Sequence, residues 1–198
     1  ELRHAIENDQ LELFYQPKID CNSHQVSGVE ALVRWRHPRH GLMLPAQFIP
    51  LAETTGLITP LPPWVVRDAL RNCCDWHENG FSLNVAVNIS PINLQEQLFP
   101  GIVDNALKEY GAKAEWRELK ITETAILLDP ALAIDAINRL HGMGVSLSID
   151  DFGTGYSSMA YLQKLLVAKL KIDKSFVLNM TTNANDAVIV RSLIGLAH

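Results

Sequence analysis

Leu83-Asn84-Val85-Ala86-Val87-Asn88-Ile89-Ser90 divides into two faces when read as a strand. Successive strand side chains point to opposite sides. Leu83, Val85, Val87 and Ile89 therefore share one face, and Asn84, Ala86, Asn88 and Ser90 the other. One face is greasy; the other is small or polar. The same division separates Leu119 and Ile121 from Glu118, Lys120 and Thr122, and Leu170 and Ile172 from Lys169, Lys171 and Asp173. A doubly wound sheet packs helices on both faces and needs both apolar, whereas a closed barrel turns one face to an interior whose upper end carries the site. The pattern predicts an α/β fold of the TIM-type (β/α) barrel class, with Glu30, Asn88, Thr122, Asp150 and Lys171 as polar strand ends.

Outward from that stretch, alternating runs at Leu11 to Tyr15, Val26 to Val33, Leu83 to Ile89, Glu118 to Thr122, Val145 to Asp150 and Lys169 to Asp173 read as strands. Helical spacing fills the gaps. Trp64 to Trp76 carries Val65, Ala69, Leu70 and Cys73 on one face and stops at Gly80. Asp129-Pro130 reads as an N-cap and first-turn pair opening a helix that ends near Gly142, and another runs from about Asp186 to the end. Strand and helix alternating in this way imply a mostly parallel sheet. No repeat or Gly/Ser linker divides residues 1–198, so one domain is expected. A barrel of this class needs about 250 residues, and six strands are found. The expectation is a barrel incomplete at its C-terminal side, without strands seven and eight.

Composition narrows the partners. At 47% apolar the chain can bury one good-sized core, and a net charge of -5 without a basic stripe argues against a nucleic acid polymer. No apolar run of about 18 residues predicts a membrane contact from this segment. Cys21, Cys73 and Cys74 are an odd count in no metal-type spacing, a poor disulfide framework that fits a reducing cytoplasm best. His37 and His40 flank Pro38 and read as a solvated loop rather than a metal pair.

Ile149-Asp150-Asp151-Phe152-Gly153-Thr154-Gly155-Tyr156-Ser157-Ser158 carries the chemistry. Adjacent carboxylates at a strand end repel unless a cation holds them, and hard divalent ions prefer oxygen ligands. The plainer alternative is that Asp150 caps a turn while Gly153 and Gly155 shape a loop.

Taken with Glu30-Ala31-Leu32-Val33-Arg34-Trp35, Val87-Asn88-Ile89-Ser90, Ile121-Thr122-Glu123 and Leu170-Lys171-Ile172-Asp173, this run resembles the successive motifs of the bacterial EAL domain, in order and along nearly the whole chain. The resemblance implies a barrel that binds cyclic-di-GMP and, when intact, hydrolyses it to linear pGpG with Mg2+ or Mn2+. It implies metal-ligand positions at Glu30, Asn88, Asp150 and Asp151. Lys171 falls where the family orients the attacking water, and Asp151 joins it in the catalytic set. Gln16 and Arg34 match ligand-contacting positions, with a strand-end amide and a surface ion pair as the plain alternatives. Glu123 matches the residue that ties down the loop after Asp151. Fused sensory or GGDEF-type domains outside this segment and a homodimer are the partners such a domain would have.

Lys120 departs from the pattern, standing where active members have a metal-ligand glutamate. An ammonium cannot ligate a metal. At an effective dielectric near 20, unit charges about 4 Å apart interact by roughly 4 kcal/mol, and a divalent ion doubles that repulsion. Either metal affinity collapses, or the ammonium takes the metal's place between Asp150 and Glu30. The portion expected to be missing would in the family supply a further glutamate and a glutamine to the site. Two functions stay open: a metal-dependent cyclic-di-GMP phosphodiesterase weakened by Lys120, and a catalytically degenerate EAL domain serving as cyclic-di-GMP receptor or protein-interaction module.

Overall fold

The computed structural model describes residues 2–153 and 165–197. The 154–158 part of the glycine motif lies outside the described residues. Seven strands form one sheet: β1 Leu11–Ile19, β2 Val26–His37, β3 Gly41–Met43, β4 Asn84–Asn88, β5 Arg117–Thr122, β6 Ser146–Phe152 and β7 Lys169–Ile172. The helices are α1 Leu2–Glu7, α2 Pro45–Thr54, α3 Leu61–Glu78, α4 Pro91–Leu94, α5 Phe99–Tyr110, α6 Glu123–Leu128, α7 Pro130–Gly142, α8 Lys174–Asn179 and α9 Ala184–Ala197. The strand order is β1-β2-β4-β5-β6-β7, with β3 paired to β2.

From β2 onward the main path is parallel, as the alternation of strand and helix predicts. The chain enters differently. β1 pairs antiparallel with β2 through a hairpin in which the Asp20 carboxylate accepts the Asn22 and Ser23 N–H groups at 3.1 and 2.7 Å. β1 also runs on through Gln16, Pro17 and Lys18, past the alternating run that marks its start. Pro17 is tolerated because β1 lies at the edge of the described sheet. β3, three residues long, is too short for alternation to reveal.

The expected helices form where their signals lie. Asp129 caps α7 by accepting the Ala131 and Leu132 N–H groups, both at 3.1 Å, with Pro130 in the first turn. α3 starts earlier than Trp64 and buries Val65, Val66, Ala69, Leu70 and Cys73 against the sheet. The greasy strand face is the one that α3, α5 and α7 cover: Val85, Val87, Leu119, Ile121, Leu147 and Ile149 are almost completely buried with Val66, Val103, Ile137 and Leu140. Each such side chain contributes about 1.5–3 kcal/mol relative to exposure. This burial leaves the small and polar face on the inner, concave side.

Candidate functional site

Four of the five strand ends that the two-faced pattern selects come together on that inner face, with Lys120 in place of Thr122, whose hydroxyl instead caps α6 by accepting the Ala125 N–H at 3.3 Å. Glu30 on β2 accepts two hydrogen bonds at Oε1, from Asn88 Nδ2 of β4 at 3.0 Å and from Lys120 Nζ of β5 at 2.6 Å. Lys120 also reaches Asp150 Oδ2 of β6 at 2.7 Å. Lys171 Nζ of β7 lies 3.2 Å from Asp150 Oδ1 and 3.7 Å from Glu30 Oε2. Five strands thus contribute one polar group each, because register in a parallel sheet repeats the same face from strand to strand.

Lys120 is the buried centre of the cluster, with 4% of its side chain exposed against 18% for Glu30 and 20% for Asp150. Burial pushes both carboxyls up, but the Lys120 hydrogen bonds outweigh it and hold Glu30 and Asp150 below the usual carboxylate range. Burial disfavours the Lys120 ammonium, yet its bonds to Asp150 and Glu30 raise its pKa. Lys171 goes the other way: burial, followed by the neighbouring Lys120 ammonium, lowers it. Lys120, at 2.6 and 2.7 Å from the two carboxylates, is therefore better held than Lys171 at 3.2 and 3.7 Å.

The remaining expected residues lie around this cluster. Gln16 is exposed and pairs in register with Glu30. Arg34 is not drawn into the cluster: it donates to the Val33 carbonyl at 2.9 Å and stands 5.3 Å above the Phe14 ring. Asp151 is exposed and holds a left-handed φ of 53°. Burial, then the charges of Asp150 and Asp173, raise its carboxyl. Glu123, 2% exposed at the start of α6, accepts the Gly153 N–H at 3.0 Å. His37 Nδ1 accepts the Arg39 and His40 N–H groups, so this imidazole organises its own loop.

Two features escaped the motif reading. Beside Asn88 and Ser90, an apolar cavity of about 230 Å³ is lined by Leu32, Pro45, Ile49 and Val65, between the sheet and the helices α2 and α3. Beneath the cluster lies a second charged layer, in which Glu118 Oε2 meets Lys169 Nζ at 2.7 Å and Lys18 Nζ at 3.1 Å while Ser148 Oγ donates to Oε1 at 2.8 Å. The signal was present in the two-residue strand period, since Glu118, Ser148 and Lys169 each precede a cluster residue by two.

A divalent ion does not fit between Glu30 and Asp150 as the side chains stand. The ammonium of Lys120 takes an oxygen of each, and among the described residues no three His, Cys, Asp or Glu side chains are grouped to hold a metal. The residues present make a site that supplies its own cation.

A parallel sheet with helices on its outer face and charged strand ends at one mouth defines the class of TIM-barrel-like proteins with their site at the strand ends. Within it, the chain belongs to the EAL domain family, whose sequence profile matches residues 1–198. The bifunctional diguanylate cyclase/cyclic di-GMP phosphodiesterase MucR of Pseudomonas aeruginosa is 41% identical over 197 residues, 99% of this chain and 29% of MucR. The cyclic di-GMP phosphodiesterase NbdA of the same organism is 44% identical over 198 residues, 100% of this chain and 25% of NbdA. The PaMucR phosphodiesterase in complex with c-di-GMP is similar in structure, with a TM-score of 0.93 at 41% identity over 98% of this chain and 79% of that one. The chain thus spans less than a third of the length of these curated relatives.

Proposed function

We propose that this domain binds cyclic-di-GMP at the mouth of the sheet and that Lys120 suppresses metal-dependent hydrolysis there, making the domain a receptor. The observation that carries this reading is the ammonium bonded to both Glu30 and Asp150 at 2.6 and 2.7 Å. Family members that act on the ligand are similar over the whole chain, which supports the ligand. The apolar cavity beside Asn88 supports it too, since small-ligand pockets are mostly apolar with a few placed polar groups.

In this reading Gln16 and Arg34 contact the dinucleotide, Arg34 swinging from the Val33 carbonyl to a phosphate, for which its fork of donors is suited. Glu123 fixes the backbone after Asp151 through Gly153. Glu30, Asn88, Asp150 and Asp151 are former metal ligands, and Lys171 is the former partner of the attacking water. A Mg2+ or Mn2+ ion would lower the pKa of that water and spread charge on phosphorus. The second reading, a slow phosphodiesterase in a cytoplasmic multidomain protein, is favoured by the survival of all those groups except the one at Lys120.

Calorimetric titration of cyclic-di-GMP in EDTA and in Mn2+, with chromatography for pGpG, separates the two. The receptor reading expects equal affinity in both buffers and no product. Mn2+-dependent product from the wild-type chain would overturn it.

A further inference from the structure

The lower layer holds together the two strands at the ends of the described sheet. Two residues below Glu30, Asn88, Lys120, Asp150 and Lys171 stand Gly28, Ala86, Glu118, Ser148 and Lys169, and on antiparallel β1 Lys18 lies two beyond Gln16. Glu118 is on β5, in the middle of the sheet. Its partners Lys18 and Lys169 are on β1 and β7, the two ends of the β1-β2-β4-β5-β6-β7 path. Both ammoniums meet the same oxygen, Oε2.

The reach of Lys18 depends on what lies between. Lys18 pairs with Gly28, and a Cβ built at Gly28 would meet Lys18 Cε at 3.4 Å and the Asn84 carbonyl oxygen at 2.7 Å. A side chain there would close the passage. Ala86, two residues on from the Asn84 that pairs with Gly28 and itself paired with Glu118, is the smallest residue with a Cβ. The lysine stem thus crosses two strands over a nearly bare floor. Glu118 is 5% exposed while Lys18 and Lys169 are 29% and 57% exposed, so the buried member of the trio is the carboxylate. An unpaired carboxylate at that depth is costly, and this makes the attachment to both strands firm although each lysine alone is a surface group. Burial pushes Glu118 up, but Lys169, Lys18 and Ser148 outweigh it and hold it at about 2.

Gln16 and Lys171 sit one layer above Lys18 and Lys169 on those same strands. Resting on the ligand reading given above, we propose that Glu118 is a positioning residue for the site: through Lys18 and Lys169 it draws β1 and β7 toward β5 and sets where Gln16 and Lys171 stand. It touches no ligand itself.

Hydrogen exchange on the ligand-free chain tests the brace directly. Glu118→Gln, nearly the same size, should speed exchange of β1 and β7 amides by at least about tenfold while β4 and β5 change little. Lys18→Met should loosen β1 alone, and Lys169→Met β7 alone. These two partly exposed positions decide the matter should Glu118→Gln fail to fold. Uniform acceleration over the sheet, or no response in either strand, would overturn the proposal.

Cyclic-di-GMP affinity supplies the readout that mere scaffolding would not move. Glu118→Gln should weaken binding about tenfold in the wild-type background and less than about threefold in Gln16→Ala, because Gln16 is the ligand contact through which its effect on affinity runs. Equal losses in both backgrounds would overturn the positioning role. Failure of the wild-type chain to bind would instead sink the ligand reading and leave the brace to the exchange results.

Discussion

Replacing Lys120 by glutamate converts a built-in cation into a ligand for a free one, and stability reports the exchange without any need for turnover. Lys120 is 4% exposed and bonds to Glu30 and Asp150. Removing one partner of a buried ion pair typically costs about 3–5 kcal/mol, because the remaining charge stays buried and unpaired. Here Lys171, 3.2 Å from Asp150 and 3.7 Å from Glu30, relieves part of that cost, whereas a third carboxylate adds repulsion. These opposing corrections leave a loss near that range. For a chain of this size a kilocalorie shifts Tm by about 2–4 °C, so Lys120→Glu in EDTA should melt roughly 6–20 °C below wild type. Mn2+ at about a hundred times its dissociation constant should return about 2.7 kcal/mol, or some 5–11 °C. Wild type should move by less than about 1 °C on the same scale. Differential scanning fluorimetry across a Mn2+ series makes the comparison. If wild type gains as much from Mn2+ as the variant does, the ammonium does not fill the cation's place and the receptor argument fails.

Two further outcomes follow from groups outside that cluster. Arg117, fully buried at the start of β5, has no hydrogen-bond partner among the described residues for any guanidinium nitrogen, and burial lowers it to about 10. Arg117→Leu should therefore stabilise the chain by about 1–4 kcal/mol in urea titration, and a loss of stability would show that an acceptor serves that guanidinium in solution. Glu118, held at about 2, lies below its unfolded value of about 4.3. The stability it supplies is thus present above the unfolded value and disappears as pH falls toward 2. The shift corresponds to roughly 3 kcal/mol. The difference in unfolding free energy between wild type and Glu118→Gln should shrink by that order between about pH 5 and 2, and a pH-independent difference would contradict the ion trio.

The inner cluster was legible in the sequence because period-two alternation assigns each strand-end residue to a face, and parallel register carries that face from strand to strand. Glu30, Asn88, Asp150 and Lys171 needed nothing more, whereas on β5 the alternation pointed to Thr122 and only the family resemblance singled out Lys120, two residues earlier on the same face. Glu118 and Lys169 lay on the same polar face, yet their pairing with Lys18 was hidden. It depends on β1 running antiparallel and on Gly28 leaving a passage, and neither is visible until strands are paired. The position of Arg34 was hidden for a related reason, since its side chain follows the local Phe14 ring and Val33 carbonyl rather than strand direction. α5 escaped although Pro100 stands in its first turn and Gly111, with φ 60°, at its end; both signals belong to its borders rather than to its apolar face. The apolar cavity could not be read at all, because its walls come from β2, β4 and two helices that only packing brings together.

The floor of the mouth holds two ammoniums, Lys120 and Lys171, against two carboxylates, Glu30 and Asp150, and its formal charge is zero. Asp151 and Asp173 beside it add negative charge, as does the chain as a whole at -5. A doubly anionic dinucleotide approaching this surface meets no long-range pull. Its encounter rate would stay flat or rise as added salt screens the field, the reverse of electrostatic steering. Selectivity at such a mouth rests on how long a ligand stays rather than on how fast it arrives.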